Sequence, residues 1–406
     1  MTGKIGMDKP IVEIDGDEMA RVMWSWVKES LILPYVNLKV EYYDLHITKR
    51  DETNDRVTVQ AAEAVKKWGV GVKCATITPN AERVKEYNLK REWKSPNATI
   101  RNILDGTIFR APIVLNNIPP AVKFWKKPIV VARHAFGDIY DGIGVRFDGP
   151  VEAEVVVKQS NGKKLKVKFP KISGAGVIQG IYNIDASIES FAKASFRYAL
   201  ENKFDIWFAA KDTISKVYDR RFKEIFQSVY EEEFKEKYEE AGLKYCYFLI
   251  DDAVARAVRS DGGFVWACKN FDGDVFSDFV AAAYVGSLAL MTSVLFSAEG
   301  YFLSEAAHGT VQKHYYKHLK GEKTSTNPTA IIFAWAAALK KRGELDNIKE
   351  LVDFANKLET AVRLTIEKDR VMTVDIARIS EPPIKTTVGT EEFIKAVKKN
   401  LEKILH

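Results

Sequence analysis

Hydrophobic positions along the chain follow two alternating rhythms. Short, solid apolar runs at 10–14, 69–75, 204–210 and 245–250 predict buried strands, and a further apolar run occupies 263–268. Apolar residues recur with helical period at 18–33, 57–67, 184–201 and 221–240, and later at 327–339, 348–366 and 391–404. On 221–240, Phe222, Ile225, Phe226, Val229, Tyr230, Phe234 and Tyr238 share one face, which predicts core packing rather than a cofactor box, and Gly242 closes the helix. Asn327 is a cap and Pro328 a first-turn residue for the helix that follows. The run 284–295 is apolar enough to predict a buried helix, whereas the polar stretch 94–101 predicts a loop. Strands alternating with helices make this an α/β chain.

One segment breaks the rhythm. Val151, Ala153 and Val155, then Leu165, Val167 and Phe169, alternate with period two around Asn161-Gly162, a strong hairpin signal. A lone hairpin is unstable in water. This one is therefore expected to be an insertion that packs on another subunit.

Composition narrows the class. With 406 residues, 46% hydrophobic and 29% charged, the chain suits a globular protein of two domains. No apolar run approaches membrane-spanning length, so no membrane association is expected. A net charge of +6 permits small anionic ligands without arguing for nucleic acid. Cys74, Cys246 and Cys268 lie in apolar runs without metal-ligand spacing and read as free thiols in a reducing compartment. Residues 1–10 are too short and polar for a signal or transit peptide, and 404–406 carry no peroxisomal tripeptide, so a cytoplasmic location is expected.

The candidate chemistry gathers around Asp272-Gly273-Asp274-Val275-Phe276-Ser277-Asp278. In a helix, Asp274 and Asp278 share one face. Two readings fit: carboxylates awaiting a hard divalent cation, with Asp251 at the end of run 245–250 as a third ligand, or helix N-terminal acids stabilising the dipole. Arg101, Arg110 and Arg133 lie near apolar stretches, where they either pair with protein acids or fork onto the carboxylates of a ligand. Tyr140 is a packed aromatic or a phenolic proton donor; Lys211, closing an apolar run, is a solvated strand-end lysine or a proton relay. Gly309 lets backbone approach a ligand, and Lys313 and His314 behind it suit a phosphate, while His308 is a structural histidine or a partner for a heterocycle. Gly174, Gly176 and Gly180 have the wrong spacing for the dinucleotide fingerprint, and there is no P-loop.

Taken together, several stretches resemble the homodimeric NADP-dependent isocitrate dehydrogenases over nearly the whole chain. These are 12–18, 71–78, 93–101, 133–138, 249–252, 266–274, 305–310 and 324–327. The resemblance implies an isocitrate/isopropylmalate dehydrogenase-like α/β fold. A large domain (1–104 and 285–406) and a small domain (105–137 and 184–284) would share a central sheet, with a clasp at 138–183. It implies substrate contacts from Thr78, Ser95, Asn97, Arg101, Arg110 and Arg133, and an acid–base pair, Tyr140 and Lys211. Asp251, Asp274 and Asp278 would bind Mg²⁺ or Mn²⁺. Thr76, Thr78, Arg83, Arg259, Gly309, Thr310, Val311, Lys313, His314 and Asn327 would form the cofactor site. Lys211, Asp251 and Arg259 would enter from the second subunit of a homodimer with shared active sites.

The implied reaction is the oxidative decarboxylation of isocitrate, a step of the tricarboxylic acid cycle. Lys313, His314 and Arg259 favour NADP over NAD, because a 2′-phosphate needs cations where a free ribose hydroxyl would more often meet an acid. Ser95 and Asn97, with three arginines, argue against an isopropylmalate-type apolar pocket, and a non-catalytic anion binder would leave the three aspartates without a task. The chain departs from the family pattern at Ala210 (usually Thr), Lys313 (often Arg), Arg256, Val374, Asp141-Gly142 and Tyr284-Val285. None of these removes a metal or substrate ligand.

Overall fold

Fourteen strands are present in the computed structural model, which describes residues 3–405; Met1, Thr2 and His406, which belong to the two terminal stretches considered for targeting, lie outside the described residues. The strands are β1 (Ile11–Asp15), β2 (Val40–Asp44), β3 (Val70–Lys73), β4 (Thr107–Pro112), β5 (Lys127–His134), β6 (Ile143–Phe147), β7 (Glu154–Lys158), β8 (Lys164–Lys168), β9 (Gly176–Gly180), β10 (Asp205–Ala210), β11 (Tyr245–Leu249), β12 (Gly262–Cys268), β13 (Met291–Phe296) and β14 (Phe302–Ala306). Ten join in one sheet, in the order β11-β10-β12-β5-β4-β13-β14-β3-β1-β2. The four strands at one end, β11 to β5, are mutually parallel, as are the four at the other, β14 to β2. β4 and β13 are antiparallel to their neighbours and join the two halves.

Strand alternation decides which residues reach the site. On β5, Ile129 and Val131 pack with Phe264 and Trp266 of β12 and with Val280 and Tyr284 of the helix Asn270–Tyr284. Val130 and Ala132 face the other way, into Phe191, Phe196, Phe222 and Phe226 of the helices Asp185–Glu201 and Tyr218–Val229. Period two therefore separates the adjacent residues Arg133 and His134. Arg133 joins the helix that carries the aspartates, while His134 stacks on Phe191 at 4.9 Å between centroids.

Three expectations are corrected. Residues 94–101 do not form a loop: Pro96–Leu104 is a helix, started by the Ser95 hydroxyl accepting from Ala98 N at 3.4 Å with Pro96 in its first turn. The apolar run 284–295 is not a helix. The preceding helix stops at Tyr284, Gly286 turns the chain at φ +70°, and Met291–Phe296 becomes β13 in the middle of the sheet. A short apolar run does not distinguish a buried helix from a strand buried on both faces. Tyr245–Leu249 is a strand but only half-buried, because β11 is the sheet edge.

The segment 138–183 folds as two antiparallel pairs, β6 with β9 and β7 with β8. The second is the expected hairpin, with Gly162 at φ +84°. Its apolar residues have no cover within the chain: Val167 is 66% exposed, and on the first pair Ile143 and Val177 are 77% and 76% exposed.

Candidate active site

A row of polar residues crosses the middle of the sheet. Strand register sets Lys73 beside Glu305, Glu305 beside Ser293, and Ser293 beside Arg110, so four strands contribute one charged or polar group each to the same face. Ser293 Oγ donates to Glu305 Oε1 at 3.1 Å, and Arg101 of the helix Pro96–Leu104 donates Nη2 to the same oxygen at 2.7 Å. Burial raises the Glu305 pKa, but Arg101, Lys73 and Arg110 outweigh it and hold the carboxyl at about 2. Burial depresses the Lys73 amine to about 8, and the amine donates to Cys74 O at 2.8 Å and Thr76 Oγ1 at 3.0 Å.

Above this row lies the helix Asn270–Tyr284. Its N-terminal N–H at Phe271 is received by Asp138 Oδ2 at 3.0 Å. Gly273 permits close approach, since a Cβ there would lie 2.7 Å from Arg133 Cβ. Asp274 and Asp278 share the face turned to the arginines. Arg133 forms an ion pair with Asp274 Oδ1, Tyr140 donates to Asp274 Oδ2 at 2.7 Å, and Arg110 donates to Asp278 Oδ1 at 3.1 Å and Ser277 Oγ at 2.9 Å. The three arginines crowd one another: burial, Arg101 and Arg110 bring Arg133 down to about 10 against the pull of Asp274. Burial also raises Asp274, but Arg133, Tyr140, Arg110 and Arg101 draw it below the usual carboxylate range. Asp278 is raised by burial and by Asp274, against Arg110. Burial and the bond to Asp274 hold Tyr140 at about 12, so it carries its proton at neutral pH.

Both aspartates are thus partly neutralised by protein cations, yet their side chains stay 42% and 58% exposed. Their oxygens suit a hard divalent ion. The third expected ligand is elsewhere: Asp251, in the first turn of the helix Ile250–Arg259, is paired with Lys211 at the ends of β11 and β10. Two strands, β12 and β10, stand between β11 and the β5 strand that carries Arg133. Among the described residues, no group of three or more His, Cys, Asp or Glu in one chain is arranged to hold a metal. Arg259, exposed at the end of the same helix, lies on the Asp251 side. The predicted residues therefore fall into two separate groups, one around Arg133 and Asp274 and one around Lys211 and Asp251.

Of the remaining candidates, Ser95 caps its helix and Asn97 has a buried, unpartnered Oδ1; Thr78 is exposed. Arg83 pairs with Glu18 at 2.8 Å and Glu86 at 2.7 Å, and Thr310 also donates to Glu18, which ties the loop after β14 to the turn after β1. Gly309 has open space over its Cα, Val311 takes φ +59°, and Lys313 is exposed in the helix Gln312–Leu319. Asn327 Oδ1 accepts from Thr329 N at 2.8 Å, and Asn327 N donates to Asp375 Oδ2 at 3.0 Å. His308 Nε2, His314 Nδ1 and Asp375 Oδ1 are buried atoms without partners, and Asp375 acts electrostatically on both imidazoles. Buried polar atoms left unpaired call for a partner that the protein does not itself supply. Asp375 was not anticipated, because a lone acid in a connecting segment carries no spacing signal.

Residues 8–397 match the family model described as isocitrate/isopropylmalate dehydrogenase. The mitochondrial isocitrate dehydrogenase (NADP) of Saccharomyces cerevisiae is 51% identical over 98% of this chain and 94% of its own length. The isocitrate dehydrogenase (NADP) of Sphingobium yanoikuyae is 50% identical over 98% of each chain. Isocitrate dehydrogenase (NADP) 1 of Mycobacterium tuberculosis H37Rv is 51% identical over 99% of this chain and 98% of its own. A match that runs from before β1 into the last helix takes in every described strand and Arg101, Arg110 and Arg133, and the chain belongs to the isocitrate/isopropylmalate dehydrogenase family.

Proposed function

We propose that the protein oxidises and decarboxylates isocitrate to 2-oxoglutarate and CO₂, with NADP as hydride acceptor and Mg²⁺ or Mn²⁺ as cofactor. The observation that carries this reading is the convergence of Arg101, Arg110 and Arg133 on a floor bearing Glu305, beside two half-exposed aspartates on one helix face. Each guanidinium has one protein acid as partner, Glu305, Asp278 or Asp274, and Lys73 adds a fourth cation; with the two aspartates taken up by a divalent ion, the arginines would be free to fork onto a tricarboxylate. The names of the relatives at about half identity support the same substrate and cofactor.

Ser95, Asn97 and Thr78 would hydrogen-bond the substrate, and the arginines would fork onto its carboxylates. Asp274 and Asp278 would hold the divalent ion with Asp251 of a second copy, which needs a homodimer. Held by these aspartates, a divalent ion would supply Lewis-acid polarisation of substrate oxygens. Lys211, brought by the same second copy, would take the hydroxyl proton, and Tyr140, held protonated by its surroundings, would return one to carbon. The cofactor would lie against Thr76, Arg83, Gly309, Thr310, Val311 and Asn327. Lys313, His314 and the partner-side Arg259 would face its 2′-phosphate; His308 and Asp375 would meet polar atoms of its base.

The exposed apolar residues on the strands at 138–183 support the dimer, since contiguous exposed apolar surface marks a place for a partner. A separate aromatic core made only of residues between 109 and 267 supports the division into small (105–137, 184–284) and large (1–104, 285–406) domains. Among the described residues no helix is long and apolar enough to cross a membrane. Three free cysteines fit a reducing compartment, and we assign the cytoplasm.

The test follows the reduced-nicotinamide absorbance with isocitrate, NADP or NAD, and Mn²⁺ or Mg²⁺. Turnover that is abolished by chelator and restored by metal is expected. Turnover that persists without metal, or binding of isocitrate without any reduction of cofactor, would overturn the reading.

A further inference from the structure

We infer that Asn270 is a positioning residue for this reaction, its single amide holding the Arg133 guanidinium and the turn that carries Tyr140 in register; the inference rests on the reaction assigned above. Asn270 opens the helix Asn270–Tyr284 and is 3% exposed. Its Oδ1 accepts from Arg133 Nε at 2.9 Å, and its Nδ2 donates to Gly137 O at 3.2 Å. Gly137 directly precedes the turn Asp138–Asp141, on which Tyr140 stands. At φ +62°, with Tyr182 O only 2.6 Å from where a Cβ would be, the position requires glycine, whose permissive backbone leaves its carbonyl direction to be held by the hydrogen bond from Asn270.

An amide is the group this place requires. Arg133 offers an N–H and Gly137 offers a carbonyl oxygen, so the side chain between them must accept on one side and donate on the other. Aspartate would face the Gly137 carbonyl with a second acceptor and would place another negative charge on Arg133, already paired with Asp274. Alanine would leave two buried groups without partners.

Arg133 and Tyr140 are also joined a second way, through the two oxygens of Asp274. That link cannot be permanent. Asp274 is one of the carboxylates offered to a cation, and the Tyr140 hydroxyl must leave it to protonate carbon. The Asn270 link uses Nε of Arg133, leaving Nη2 for a substrate carboxylate while Nη1 serves Asp274, and involves neither Asp274 nor the phenol. It therefore keeps the gripping residue and the proton donor aligned whatever Asp274 is bound to.

The test compares the parent protein with Asn270→Ala, Asn270→Asp and Asn270→Gln. Three quantities are read: the KM values for isocitrate and NADP; the exchange of solvent deuterium into the methylene beside the keto group of 2-oxoglutarate, with NADPH and Mn²⁺ present; and the equilibrium binding of isocitrate to metal-free protein. For Ala and Asp, the isocitrate KM should rise about tenfold, exchange should fall about tenfold or more, and metal-free isocitrate binding should weaken by about fivefold, while the NADP KM stays within about twofold. Gln, which keeps both amide groups, should recover part of the exchange rate. An Asp variant within about twofold of the parent in exchange and isocitrate KM overturns the role, as does an equal rise in both KM values. If the Ala variant does not fold, the volume-conserving Asp variant decides. A parent with no turnover sinks the assigned reaction and this role with it; parent turnover with unaffected variants overturns the role of Asn270 alone.

Discussion

Glu305→Gln should destabilise the protein by removing the charge on which the cationic floor depends. The Glu305 side chain is 11% exposed, and its carboxyl is held at about 2 against an ordinary 4.5 because Arg101, Lys73 and Arg110 outweigh its burial. That gap corresponds to about 3 kcal/mol in favour of the ionised form in the folded state. The folded value lies below the unfolded one, so the contribution is full above the ordinary 4.5 and is lost as pH falls toward 2. Glutamine keeps the shape and one acceptor but leaves Arg101 buried without its anion, a change of the kind that costs about 3–5 kcal/mol. For a chain of 406 residues the unfolding entropy at the midpoint is about 0.85 kcal/mol/K, so the thermal midpoint should fall by about 4 °C at neutral pH. Scanning calorimetry of parent and variant across acid and neutral pH measures this, and the difference should shrink below the ordinary carboxyl pKa. Adding Arg101→Leu to Glu305→Gln should recover part of the loss, since it removes the stranded guanidinium and leaves Lys73 as the buried cation still beside the amide. A midpoint within about 1 °C of the parent at neutral pH, or a difference that does not shrink with acid, would refute the account of Glu305 as counter-charge.

Three further outcomes follow from other parts of the molecule. Lys313→Asp should lower kcat/KM for NADP about tenfold or more while leaving that for NAD nearly unchanged; an unchanged ratio between the two cofactors counts against Lys313 facing the 2′-phosphate. His134 is buried neutral, its pKa depressed by burial to about 3 from 6.5. The unfolded chain takes up that proton first, so the parent should lose stability as pH falls from 6.5 toward 3, by about 1.4 kcal/mol per pH unit from this group, and His134→Phe should show a shallower acid slope in urea denaturation. Val167→Lys on the uncovered hairpin should weaken the proposed dimer, seen by sedimentation, and turnover should fall with it; a monomeric variant at full activity would show that each chain completes its own site.

Much of this protein was legible in its sequence, for local reasons. Solid apolar runs and helical periods fix the parallel strands and their covering helices, because each element must bury its own face. Asn161-Gly162 marks its hairpin because few residue pairs allow that turn. The spacing of Asp274 and Asp278 puts them on one helix face whatever else the chain does. Where the local signal is ambiguous, the tertiary structure decides. The run 284–295 suits a helix as well as a strand, and only the vacant position between β4 and β14 makes it β13. The row Lys73, Glu305, Ser293 and Arg110 comes from four strands whose order in the sheet is not their order in the chain, so no spacing reveals that they are neighbours. Whether Arg133 or His134 turns toward the aspartates depends on which face of β5 the helix Asn270–Tyr284 covers. Sequence determined which residues were available for this chemistry; register between distant strands determined which of them meet, because side-chain direction in a sheet is set by pairing and not by order along the chain.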